Sequence, residues 1–530
     1  MTHRYPIIYI RGFTMSEAER NKSVADPFCG FNYGSTLFRA TESKQQRADK
    51  FFFESPLVRL TTEYQYQPVY HNGDDIVDAD WKGKSDGEGN IIPGIPPASI
   101  IIYRYYDDGS TFFGNGESRS ISEYAAGLNA LILRVKQLVL QYPCADSSLM
   151  QDSDFRCYLV AHSMGGLVAR AFLQSTEQDF QLAQQAVAKL FTYATPHNGI
   201  DILGMNVPGW LTAGQADTFN RAKMRQYLNL QTLSPRFDQR VDLIPESALP
   251  AERIFCMVGT NRSDYEPLQG MLRNFVGHGS DGLVLIDNAS LWGVNNDGST
   301  VQVATAYAFR SHSGYFGIVN SEEAYQNLVR FLFGDVRVDV WADIASVTLP
   351  TEIEPQAAKV SGLYQFEFRA APRGKRWFLT RRASVEDSPA CRTHAQLTSP
   401  DPTDRQIYLS SLFLSKRGKA DPLASELCYS MTFSAKVPDY KIERNFWSDG
   451  HHEGADLFRN MAIITLTPPA QPDGNGDWTV NFGWSENPTQ YQQTLRFHSA
   501  EDRHELCLPF ENSAKPGIRG AIRMTVRPWS

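Results

Sequence analysis

What the chain has little of narrows the field first. Its seven cysteines (Cys29, Cys144, Cys157, Cys256, Cys391, Cys428, Cys507) are odd in number, widely scattered and free of any Cys-x-x-Cys pair. That spacing supplies neither a disulfide framework nor zinc-ligand pairs, and it suits a reducing compartment. No uncharged run approaches the roughly eighteen apolar residues of a membrane-spanning helix. The first residues, Met1 to Arg11, pass straight into an apolar strand without the basic region, apolar core and small-residue cleavage site of a secretory signal. A soluble, cytoplasmic protein is expected, unless it leaves by a route that reads no N-terminal signal. Positive charge is also short: the net charge is −8 with both signs mixed along the chain, so no nucleic-acid surface is expected.

What is present is enough chain for two domains, at 530 residues, and an aromatic content of 12% that can furnish an apolar cleft as well as cores. The organising stretch is Arg156-Cys157-Tyr158-Leu159-Val160-Ala161-His162-Ser163-Met164-Gly165-Gly166-Leu167-Val168. A short apolar run meets a small-x-Ser-x-Gly-Gly turn, and a helical apolar pattern (Met164, Leu167, Val168, Phe172) follows at once. This is a strand, a sharp turn and a helix. Such a turn brings backbones close together, which calls for the small residues Ala161 and Gly165 beside the serine. It lifts the Ser163 hydroxyl to the top of a sheet and aims the first helical N–H groups at the same spot. Ser163 is therefore a candidate nucleophile.

Around this turn the chain reads as alternating strands and helices. Tyr5 to Ile10 and Ala98 to Tyr103 are continuous apolar runs, as expected of strands buried on both faces of a parallel sheet. Ser120 and Glu123 form a capping box ahead of a helix that Pro143 stops. Further strands are expected at Ala188 to Ala194, Ile254 to Thr260 and Val301 to Phe309, and a last helix at Glu322 to Phe333. Residues 14–97 are a long insertion, and residues 200–250, with Trp210 and Leu211, suggest a cap or lid or else a helical hairpin of the core. From about Val336 the pattern turns to period two (Val336, Val338, Val340; Tyr364, Phe366, Phe368; Tyr429, Met431, Phe433), which points to an all-β sandwich over residues 335–530.

Acyl transfer needs a serine, a base and an acid that holds the base in the right tautomer. Ser163, Asp281 and His312 come in that order, each after an expected strand, while Asp264, Asp287 and His278 are the competing acids and base. No metal or cofactor is implied: Asp74, Asp75, Asp78 and Asp80 lack the spacing of a calcium loop, and Asp449, His451, His452, Glu453 and Asp456 read as a solvated loop. His197, in Thr195-Pro196-His197-Asn198-Gly199, either lines a pocket or is a structural turn histidine.

Ala161-His162-Ser163-Met164-Gly165-Gly166, Thr195-Pro196-His197-Asn198-Gly199, Ser280-Asp281-Gly282-Leu283-Val284 and Ser311-His312-Ser313 together resemble the lipase and esterase branch of the α/β-hydrolase superfamily, particularly bacterial lipases and GPI inositol-deacylase-like hydrolases. The resemblance implies a compact, six-stranded α/β-hydrolase domain over residues 1–334 followed by the β-sandwich domain. It also implies oxyanion donors at the backbone N–H groups of Phe13 and Met164, although Arg11 stands where a histidine is usual. His162, His197, Trp210 and Leu211 are the candidate substrate-contacting residues. The expected activity is hydrolysis of carboxylic esters, of lipids or long acyl chains, through an acyl-enzyme and with possible peripheral contact with lipid or membrane. Thioesterase, acyltransferase or phospholipase chemistry would use the same three residues, and a binding protein on a hydrolase fold is the non-enzymatic alternative.

Overall fold

Strands that are apolar at every position can only be buried on both faces, and that is how the first sheet is built. The computed structural model describes residues 4–12, 36–40, 48–52, 56–69, 83–85, 88–103, 105, 119–143, 150–202, 205–206, 218–263, 279–314, 317–419, 423–442, 450–469, 477–499 and 501–530. Its strands are β1 (Ile7–Ile10), β2 (Gln67–Pro68), β3 (Ser99–Tyr103), β4 (Cys157–His162), β5 (Val187–Tyr193), β6 (Ile254–Gly259) and β7 (Ala304–Ala308), ordered β7-β6-β5-β4-β1-β3-β2. The pairings of β2 with β3, β3 with β1, β1 with β4, β4 with β5 and β5 with β6 are all parallel. β1, β4 and β6 are buried at every residue. Helices on this sheet make it an α/β architecture.

The sheet has seven strands where six are expected. The added one is the two-residue edge strand β2, contributed by the long insertion; both residues are exposed and carry no apolar period, so nothing in the sequence marks them. The crossover helix α1 (Ile121–Gln141) begins where the capping box says it should. The Ser120 hydroxyl accepts from the Glu123 N–H at 3.3 Å, and the Glu123 carboxylate accepts from the Ser120 N–H at 2.8 Å. Its face of Tyr124, Leu128, Leu131, Ile132, Val135 and Val139 is buried. Helix α2 (Met164–Leu173), directly after Ser163, is buried at all ten residues.

By contact density the chain divides into two units, Met1–Val303 with Arg310–Ser321, and Ala304–Phe309 with Glu322–Ser530. The second unit contains helix α3 (Glu322–Phe333) and a β-sandwich. The sandwich strands are β8 (Val336–Thr348), β9 (Val360–Pro372), β10 (Thr380–Arg382), β11 (Ala390–Thr393), β12 (Gln406–Leu414), β13 (Leu427–Ile442), β14 (Gly450–Thr467), β15 (Trp478–Trp484), β16 (Tyr491–Leu495), β17 (His504–Asn512) and β18 (Gly517–Pro528). One antiparallel sheet runs β12-β8-β18-β17, the other β10-β9-β13-β14-β15-β16 with β11 also on β9. Inward residues of both sheets, among them Val340, Phe366, Phe368, Phe433, Trp478, Phe510 and Ile522, form one core. The stretch with His451, His452, Glu453 and Asp456 belongs to β14 rather than to a loop. Strand geometry sends successive side chains to opposite faces, and the four do not converge: His451 meets Asp439 at 3.4 Å, whereas His452 Nδ1 meets its neighbour's Glu453 carbonyl at 2.9 Å.

Candidate active site

Ser163 sits between β4 and α2 with φ 53° and ψ −127°, a conformation that non-glycine residues rarely adopt. Small residues packed around it make this possible. A side chain at Gly165 would lie 2.5 Å from the Ile10 carbonyl oxygen, and one at Gly166 would strike Thr195. Gly12, at the end of β1, is pressed from the other side: a Cβ there would meet the Ser163 Cβ and the His162 Nδ1, each at 2.8 Å. The turn is thus wedged between the strand that precedes it in the sheet and the turn that follows β5. Met164 opens α2, so its backbone N–H has no acceptor within the helix and points out of the helix N-terminus beside the Ser163 hydroxyl.

A chain of two long-range hydrogen bonds ends on this hydroxyl. His312 Nε2 lies 2.8 Å from Ser163 Oγ, and His312 Nδ1 lies 2.9 Å from Asp281 Oδ2. A carboxylate can only accept, so Nδ1 carries the proton and Nε2 of the neutral ring is the acceptor that faces the serine. Asp281 is itself held in place, its other oxygen accepting from the N–H groups of Leu283 at 3.0 Å and Val284 at 2.8 Å. The backbones are joined as well, the His312 N–H donating to the Asp281 carbonyl at 2.9 Å. Ser163, Asp281 and His312 are all buried, and Asp281 is only 1% exposed. Asp287, by contrast, is exposed on a short 3-10 turn.

Residues 111–204, which hold α1, β4, the serine turn, α2 and β5, match the family model of the PGAP1-like alpha/beta domain. Solved structures similar to this chain include the lin2722 gene product of Listeria innocua (12% identity, TM-score 0.27, covering 62% of this chain and 94% of that one). The lipase BlEst2 of Bacillus licheniformis in its mature form is 13% identical, with a TM-score of 0.26 and coverage of 63% and 92%. The phospholipase PlaB of Legionella pneumophila is 12% identical, with a TM-score of 0.28 and coverage of 85% and 91%. No curated protein matches by sequence. Among the described residues, no helix is long and apolar enough to cross a membrane.

The remaining candidates part company. His162 does not turn toward a substrate cleft: its Nε2 lies 2.9 Å from the carbonyl oxygen of His312, which makes Nε2–H the donor. Burial, and then the neighbouring His312, push its pKa down to about 3, so the ring stays neutral. His162 thereby ties the serine turn to the backbone of His312. His197 is fully buried with Nε2 near Thr192 Oγ1 at 3.2 Å and Cys256 Sγ at 3.7 Å, and burial drives its pKa well below the usual value. It is a core histidine of the turn after β5, not a residue lining a pocket. Phe13, Trp210 and Leu211 lie outside the described residues, as do Asp264, His278 and the acidic run Asp74 to Asp80.

Arg170 is the functional neighbour that sequence reasoning missed. It is fully buried on α2 and donates to the carbonyls of His197 at 3.0 Å and of Val241 and Leu243 at 2.7 Å each. Burial lowers its pKa to about 10, with Asp242 among the groups opposing that shift. The signal for it was available: a lone cation in the otherwise apolar helix Met164–Leu173 has to find acceptors. Its acceptors place the second half of the 200–250 segment. Met224, Leu228, Leu230, Leu243 and Ile244 are fully buried, so this half is scaffold bound to the nucleophile helix rather than a cover.

Proposed function

We propose that the protein is a serine hydrolase of carboxylic esters, acting on lipid or long-acyl esters through an acyl-enzyme. The observation that carries this reading is the chain of two hydrogen bonds, 2.8 Å from Ser163 to His312 and 2.9 Å from His312 to Asp281, at the carboxyl ends of parallel strands. Ser163 Oγ attacks the acyl carbonyl carbon as His312 Nε2 takes its proton. The Asp281 carboxylate holds the ring in the Nδ1–H tautomer and stabilises the imidazolium that forms. The carbonyl oxygen becomes an oxyanion beside the helix N-terminus, where the Met164 N–H, and in this reading the Phe13 N–H, donate to it. Collapse of the tetrahedral intermediate expels the alcohol, which takes the proton from His312. Water then repeats the sequence on the acyl-enzyme and restores Ser163.

The test is hydrolysis of chromogenic esters of increasing acyl length by the wild type and Ser163→Ala, together with labelling by a fluorophosphonate. Loss of the serine is expected to cost on the order of 10⁶ in kcat and to abolish labelling. A long-chain optimum supports the lipid reading, and a short-chain optimum redirects it to small esters. Equal, negligible rates in both proteins would sink ester hydrolysis.

A further inference from the structure

A second feature lies in the β-sandwich unit and owes nothing to the serine. β9 ends at Pro372 opposite Tyr429 of β13, so the loop leaving β9 and the loop entering β13 emerge at the same end of the sheet. The first loop is Arg373-Gly374-Lys375-Arg376-Trp377-Phe378, and its Arg373, Lys375 and Arg376 are exposed. The second carries Lys416, Arg417 and Lys419, followed by Leu423, which is 95% exposed. The two loops meet over Arg330 of α3: its guanidinium lies 5.3 Å from the Trp377 ring centre and donates to the Gly418 carbonyl at 3.4 Å.

Among the described residues, none of the six cationic side chains is ion-paired with a carboxylate, although the Lys416 N–H donates to the Asp335 carboxylate at 2.7 Å; the Lys419 ammonium donates to the Ala424 carbonyl, and that of Lys416 lies 5.3 Å from the Trp478 ring centre. Across residues 373–378 and 415–426 the only acidic side chains are Asp421 and Glu426, a surplus of four positive charges on a chain whose net charge is −8. A cluster of cationic side chains without ion-paired carboxylates raises the local positive potential, and a leucine left almost wholly in water beside them exposes apolar area at the same place. An anionic bilayer answers both, because cations near its surface are attracted and a single apolar side chain enters the headgroup boundary. Nucleic acid answers only the first. The one large aromatic ring in the first loop that could stack on a base, Trp377, is half-buried under Arg330.

We propose that this end of the sandwich, formed by Arg373, Lys375, Arg376, Lys416, Arg417 and Lys419 with Leu423, docks the protein on an anionic lipid surface. The proposal goes beyond ester hydrolysis and stands whether or not Ser163 is the nucleophile. The full chain carrying Ser163→Ala, which cannot degrade the vesicles, is sedimented with phosphatidylcholine vesicles and with phosphatidylcholine–phosphatidylserine vesicles. Partition onto the phosphatidylserine vesicles alone, released by high salt, is expected. Adding Arg373→Gln, Lys375→Gln and Arg376→Gln together lowers the partition about a hundredfold. Leu423→Ser lowers it by less, and all four changes leave thermal melting and short-chain ester hydrolysis in the Ser163 background unchanged. Equal binding to both vesicle types, no binding to either, insensitivity to the triple change, or tighter binding to a single-stranded oligonucleotide than to phosphatidylserine vesicles would each overturn it. Because the binding arm contains no active serine, its failure leaves the hydrolase reading intact, and failure of the hydrolase reading leaves the docking result intact.

Discussion

The parallel sheet and the sandwich bury residues by opposite rules. In the parallel sheet β4 is closed to water at every position, so polar chemistry has nowhere to sit along the strand and is confined to the turn beyond it. In the sandwich β9 alternates, with Tyr364, Phe366 and Phe368 inside and Gln365 and Glu367 on the outer side. One sheet therefore concentrates function at its strand ends, while the other leaves an outer face and its end loops free to take on surface roles.

Substitutions can break or sharpen this contrast. The largest effect belongs to the strand-end machinery: Asp281→Asn, which keeps the shape but offers a donor where His312 needs an acceptor, should lower kcat about 10⁴-fold with melting little changed. In the sandwich the same scale of damage appears as stability. Phe366→Ala should cost ~3–5 kcal/mol in denaturant unfolding, whereas Gln365→Ala next to it should stay within about 0.5 kcal/mol. A similar cost at both positions would dissolve the contrast. His162 tests the link between turn and base. His162→Leu removes the donor to the His312 carbonyl and should lower kcat about tenfold with little change in KM, and His162→Gln, whose amide N–H can reach the same carbonyl, should restore most of it. Equal losses in both would make the residue a space filler.

The smallest effect concerns a buried cation away from the strand ends. Lys189 on β5 is 5% exposed, and burial, followed by the charge of Arg253, lowers its pKa to about 7. The unfolded chain holds that proton up to about pH 10.4, so between pH 7 and that limit the unfolded state binds more protons and stability rises with pH. Lys189→Met should therefore raise the melting temperature by a few degrees below pH 7, and the gain should shrink as the pH is raised above 7. A gain that does not depend on pH would assign it to packing alone.

Much of this was legible in the sequence because burial on both faces writes itself as unbroken apolar runs, and burial on one face as alternation. β1, β3, β4, β5, β6 and the sandwich strands around Phe366 and Phe433 carry those signatures. Ser163, Asp281 and His312 were found as strand-end residues in chain order. Three features were not legible, each for a physical reason. The edge strand Gln67–Pro68 is too short and too exposed to show a period. The bond from His162 to the His312 carbonyl spans 150 residues and involves a backbone atom that has no identity in the sequence. The fate of residues 218–250 depended on the partners of Arg170, which lie 27 to 73 positions further along the chain.

That edge strand also decides what the insertion can be spared. Sheet edges invite a second chain to add its own strand, and here the last position on that side is held by Pro68, which has no N–H to offer, paired with Ile100. Cutting residues 14–97 back to a short loop would remove the strand paired with Ser99 and Ile100 and leave the edge of the apolar strand β3 open there. A protein trimmed in this way should precipitate rather than become a smaller enzyme, so the insertion serves as a guard on solubility whatever else it does.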